Sequence, residues 1–130
     1  MKKIIFALTI VLATSTAFAQ NQTTTPMSIV SPDSGIVYRL FSTQNKWTYI
    51  KLNTRNGQMW QVQYSIEDNN MEVPLSLITR VSQEDEKNGR FFLYPTQNIW
   101  NFILLDQFDG RVWQVQWSTE QKSRIVIQIN

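Results

Sequence analysis

The side chains best placed to do chemistry are Asp106 and Asp109, in the run Asp106-Gln107-Phe108-Asp109-Gly110. Two carboxylates at this spacing can share a cation or divide the roles of acid and base. The rest of the chain gives them little support. It contains no His and no Cys, so acyl transfer would need a Ser or Thr activated by a Lys or a carboxylate, and no stretch groups such residues. Zinc and other late metals lose their usual nitrogen and sulfur ligands for the same reason. An earlier run, Asn53-Thr54-Arg55-Asn56-Gly57, carries Asn at both carboxylate positions. Asn and Asp share the ability to bond the backbone of a turn but not the charge, so turn capping explains both runs and catalysis explains neither. Glu84, Asp85 and Glu86 read as a solvated run, and only 4 glycines leave no phosphate-binding loop. The expectation is a protein with no catalytic residue, no metal and no cofactor.

A second constellation pairs aromatic rings with side-chain amides: Trp47, Tyr49, Gln61 and Gln63, then Trp100, Phe102, Gln114 and Gln116. A ring can stack on an apolar ligand face while neighbouring amides donate and accept hydrogen bonds, which suits a glycan, an extended peptide or a partner protein. The same residues are also what half-buried antiparallel strands carry on their second face.

Both constellations lie in a tandem duplication. The segment YRLFSTQNKWTYIKLNTRNGQMWQVQYS from Tyr38 aligns without a gap with FFLYPTQNIWNFILLDQFDGRVWQVQWS from Phe91. Each copy alternates apolar and polar residues in short runs broken by Asn-Gly or Asp-Gly and holds no long helical period, so each predicts four strands. In the first copy these are 37–42, 47–53, 58–65 and 71–77, and in the second 90–95, 100–106, 111–118 and 124–130. The fourth strands match best with one extra loop residue in copy two, which sets Met71, Val73 and Leu75 against Ile125, Ile127 and Ile129 as inward positions. Pro74 cannot donate to a ladder and predicts an edge strand or a bulge.

Gly57 and Gly110 fit a type I turn followed by a bulge, which pairs Thr54 with Gln58, Leu52 with Trp60 and Ile50 with Val62. That register places Ile50, Leu52, Trp60, Val62 and Tyr64 on one face, with Ile103, Leu105, Trp113, Val115 and Trp117 as the equivalent set. Trp47, Tyr49, Lys51, Met59, Gln61 and Gln63 fall on the other face, with Trp100, Phe102, Leu104, Val112, Gln114 and Gln116 as their counterparts. A four-residue loop would mix the two sets. A lone four-stranded sheet is a poor domain, so the two apolar faces should pack on each other. The predicted fold is therefore all-β and antiparallel, two four-stranded repeats with pseudo-twofold symmetry that form a small barrel or sandwich.

The chain of 130 residues has room for one domain. Lys2 and Lys3, the apolar run Ile4 to Leu12, and Ala17-Phe18-Ala19 read as a signal peptide over residues 1–19, too short in its apolar run to span a membrane. Residues 20–35, rich in Gln, Asn, Thr and Ser, predict a flexible leader, and residues 36–130 the β domain: repeat one 36–79, a charged connector 80–89, and repeat two 90–130. Loss of Lys2 and Lys3 would bring the 12 basic side chains level with the 10 acidic ones. The charge case for nucleic acid or acidic membranes goes with them. A chain without cysteine must rely on its core once exported.

The segments LYPTQNIW, ILLDQFDGR and WQVQWS resemble a tandem repeat found in small exported bacterial proteins, and the likeness runs from Tyr38 to Ser118. The resemblance implies an exported two-repeat β protein of the periplasm or exterior, and no functional residue. The expected role is non-catalytic binding of a glycan, peptide or partner protein through the aromatic and glutamine face. The alternative is a structural protein that forms homo-oligomers through that face.

Overall fold

The computed structural model describes residues 35–130; the expected signal peptide and all but the last residue of the expected leader lie outside that range. Each repeat forms a four-stranded antiparallel meander. In the first, β1 (Tyr38–Ser42), β2 (Thr48–Asn53), β3 (Met59–Gln63) and β4 (Met71–Ser76) pair in sequence order. In the second, β5 (Phe91–Pro95), β6 (Asn101–Asp106), β7 (Val112–Gln116) and β8 (Ile125–Ile129) do the same. All eight expected strands form, each shortened at one or both ends. The two sheets remain separate, so the fold is a sandwich and not a closed barrel. Pro74 lies on edge strand β4, opposite a register shift at Met59/Trp60, where its missing N–H is harmless.

The hairpin register differs from the sequence expectation. Leu52 pairs with Met59, Lys51 with Trp60, Ile50 with Gln61 and Tyr49 with Val62. The second repeat pairs Leu105 with Val112, Leu104 with Trp113 and Ile103 with Gln114. This is the four-residue loop. It is held by backbone bonds from Asn53 N–H to Gln58 C=O (2.9 Å) and from Gly57 N–H to Asn53 C=O (3.0 Å), matched by Asp106 to Arg111 and Gly110 to Asp106 (both 2.9 Å). Side chains reinforce it: Asn53 Oδ1 accepts from Arg55 N–H and Asn56 Oδ1 from Gln58 N–H. Asp106 and Asp109 accept from Phe108 and Arg111 in the same way. Capping by Asn or Asp at both positions favours this longer loop over the three-residue one.

The longer loop sorts each sheet into two faces unlike the expected ones. The first face carries Phe41, Thr48, Ile50, Leu52, Met59 and Gln61 in repeat one, and its equivalents in repeat two are Tyr94, Asn101, Ile103, Leu105, Val112 and Gln114. The second face carries Leu40, Tyr49, Lys51, Trp60, Val62 and Tyr64, equivalent to Leu93, Phe102, Leu104, Trp113, Val115 and Trp117. Repeat one buries its first face in the sandwich, whereas repeat two buries its second. The core is thus built from non-equivalent faces. A pseudo-twofold would bring equivalent faces together, and the burial does not follow it. Ile125, Ile127 and Ile129, expected inward, point outward, while Val126 packs on the core.

A reason lies in composition. Repeat two has a larger and wholly apolar set on its second face, where repeat one has Lys51 in place of Leu104 and Tyr64 in place of Trp117. Burying Leu104, Trp113, Val115 and Trp117 removes far more apolar surface than burying their repeat-one counterparts would, and it leaves no lysine in the core.

Candidate binding faces

The carboxylates come first. Asp106 is completely buried and is gripped by Arg90, whose Nε lies 3.0 Å from both carboxylate oxygens and whose Nη2 lies 3.0 Å from Oδ2. Arg111 Nη2 adds a contact at 3.4 Å. Arg90 also donates to the Asp85 carbonyl at 3.0 Å. The hydrogen bond to Asp106 holds the Arg90 guanidinium above its ordinary pKa, against the opposing cost of burial. Burial pushes the Asp109 carboxyl up, but the Arg111 backbone N–H and guanidinium outweigh it and leave the carboxyl below its usual range. The carboxylates are therefore taken up by arginines and turn amides. Among the described residues no group of three or more His, Cys, Asp or Glu could hold a metal ion.

Turn capping is right for both copies, but it is only half of the account. The charge on Asp106 has a buried partner in repeat two, and repeat one replaces the pair by Val37 and Asn53. The sequence signal was present in this paired exchange between the copies.

The eight aromatic and amide positions do not share a face. In repeat one, Trp47 and Tyr49 lie on the outward side, both against the Tyr64 ring, with centroids 5.2 and 6.1 Å away. Gln61 and Gln63 lie on the opposite side of the same sheet. Gln61 is completely buried, and its Oε1 accepts from Ser118 N–H of repeat two at 3.3 Å. In repeat two, Phe102 is in the core, while Gln114 and Gln116 lie on the outward side. Gln114 donates to Asn101 Oδ1 at 2.8 Å.

Trp100 and Gln116 do come together. At the rim of the sandwich they line a shallow open pocket of about 230 Å³ with Asn98, Asn101, Trp117 and Ser118. Trp100 is 41% exposed and packs against the buried Trp117 ring at a tilt of 44°, with centroids 4.7 Å apart. Trp117 is fixed from below by its Nε1–H donating to the Ile99 carbonyl at 2.9 Å.

Two broad apolar faces remain open. On repeat one, Tyr38 meets Trp60 edge-on at 6.2 Å, and Lys51 lies over both rings while pairing with Glu72. Leu40, 57% exposed, flanks them. On repeat two, Ile103, Leu105 and Val112 are half-buried beside the exposed Tyr94, Ile125, Ile127 and Ile129. No charged side chain projects from those strand positions. Comparison with protein-family models, curated proteins and solved structures found no match.

Proposed function

We propose that this is an exported, non-catalytic binding protein that engages a partner protein through the broad faces of its two sheets. The observation that carries the reading is the pair of open apolar faces, one aromatic and one aliphatic, on opposite sides of one small sandwich. Flat apolar surface rimmed by polar groups suits protein contact, whereas a small ligand needs a concave site. The N-terminal charged and apolar run supports export. The test is retention of proteins from an envelope extract on the immobilised native chain, compared with Leu40→Lys and Ile103→Lys, with retained species identified by mass. Protein retained by the native chain and lost with either substitution is the expected result. Retention unaffected by both substitutions would defeat it.

A second reading has one observation in its favour. The Trp100 ring beside the Gln116 amide could stack a sugar ring while the amide bonds a hydroxyl. Saturable binding on a glycan array, abolished by Trp100→Ala and untouched by Leu40→Lys, would replace the first reading with this one.

A further inference from the structure

Resting on the reading that the open faces bind protein, we propose that the partner is a second copy of this chain, docked head to tail so that the open face of repeat two covers the open face of repeat one in the next molecule.

The argument comes from the internal interface. Within one chain, the first face of repeat one packs on the second face of repeat two. What remains open is the first face of repeat two and the second face of repeat one. Each open face is therefore the sequence equivalent of one of the two faces already joined, and the pair is of complementary type. Ile103 stands where Ile50 is completely buried, and Leu40 stands where Leu93 is completely buried. Repeating the internal step between molecules would cover both exposed surfaces with the kind of surface each repeat already accepts.

The charges agree with this. At the internal interface Arg39 reaches over the Phe92 ring, while the buried Asp106 is neutralised within repeat two by Arg90. Repeat one has the uncharged Val37 and Asn53 where repeat two has Arg90 and Asp106, so its open face carries no counterpart of that buried ion pair. Lys51 and Glu72 pair with each other on the aromatic face, and Lys46 lies over the Trp47 ring at an exposed position. Docking would then strand no unpaired ion.

The contact is heterologous, because the two surfaces differ. Such a step either closes into a ring or runs on as a fibre. Four-stranded meanders stacked face to face close into propellers at about four to eight units. With two repeats per chain, a closed ring would hold two to four molecules.

The experiment is sedimentation of the native full chain over a concentration series, alongside Leu40→Lys, which blocks the aromatic face, and Ile103→Lys, which blocks the aliphatic face. The native chain should associate into a species of two or more molecules. Each variant alone should remain monomeric, with association weakened at least about 30-fold, as loss of a central contact gives. An equimolar mixture of the two should form a one-to-one dimer and nothing larger, since it contains one intact face of each kind. Tyr64→Lys and Ile127→Lys repeat the test at other exposed positions, and near-UV circular dichroism shows which variants keep the native core. A native chain that stays monomeric at its highest soluble concentration overturns the proposal, as does either variant associating with itself. If the native chain is monomeric yet retains a different protein through the same faces, the binding reading survives and only head-to-tail docking fails.

Discussion

Leu52 and Leu105 hold the same position in the two repeats, yet Leu52 is completely buried and Leu105 lies half-covered on the outside of the sandwich. The same inversion separates Leu104, fully buried, from Lys51. Duplicated sequence here does not mean duplicated environment. It means a stack in which each repeat has a front and a back.

The inversion makes the energetic weight of equivalent residues unequal. Leu52→Ala should destabilise the monomer by about 2–5 kcal/mol, the range for truncating a core leucine. Leu105→Ala should cost less, about 1.5 kcal/mol or below, because part of its surface is already wet before unfolding. Urea unfolding of the two variants at low protein concentration checks the difference.

The Arg90 and Asp106 pair should behave as a unit. Asp106→Asn keeps the turn cap but leaves Arg90 with only the partly exposed Asp109 carboxylate at 3.5 Å as counter-charge, so the cost should approach the lower end of the about 3–5 kcal/mol for breaking a buried pair. Adding Arg90→Val to Asp106→Asn gives repeat two the residues of repeat one and should recover at least about 1 kcal/mol relative to the sum of the single changes. A double-mutant cycle by chemical denaturation measures that coupling.

The two turn glycines should differ in cost. Gly57 and Gly110 have φ of +80° and +79°, where a side chain is strained. A Cβ at Gly110 would meet no neighbour within 4 Å, but at Gly57 it would lie 3.0 Å from Arg80 Cδ and 3.3 Å from the Phe91 ring. Arg80 cannot easily yield. It donates to the Gly57 and Ile78 carbonyls at 2.6 and 2.8 Å, and burial pushes its pKa down to about 10. Gly110→Ala should cost about 1 kcal/mol, and Gly57→Ala more, as read from the two melting transitions.

Acid should act through Asp109. Its carboxyl is held below its ordinary value of 3.8, so its contribution is fully present above that pH and is lost as pH falls through the lower folded value. The melting-temperature advantage of the native chain over Asp109→Asn should therefore be constant near neutrality and narrow below about pH 4. The advantage should be small, because the carboxylate is partly exposed.

The sequence made the eight strands legible, because period-two alternation and the Asn-Gly and Asp-Gly breaks are local signals. The pairing register was not, and the cause is physical. Both faces of each sheet carry apolar residues, so polarity could not reject the four-residue loop. The decision fell to Asn53, Asn56, Asp106 and Asp109, whose caps fix loop length. An error of one residue there moves every side chain to the other face. Gln61 and Phe102 are in the core and Trp60 is outside for that reason. Of the expected site, Trp100 with Gln116 and Trp47 with Tyr49 came together. Which face of each repeat turns inward follows from the exchanges of Lys51 for Leu104 and of Tyr64 for Trp117, and these can be read as faces only once the register is known.

Thiol labelling at equivalent positions tests the inverted stacking most directly, since the chain has no cysteine of its own. Leu52→Cys, Leu105→Cys, Lys51→Cys and Leu104→Cys would each carry one reporter, and modification rates would be compared in the monomeric protein at low concentration. The inverted stack predicts strong protection at Leu52→Cys and Leu104→Cys and rapid modification at Leu105→Cys and Lys51→Cys. Protection at both Leu52→Cys and Leu105→Cys, with both of the others reactive, would mean that equivalent faces meet, and would contradict the account.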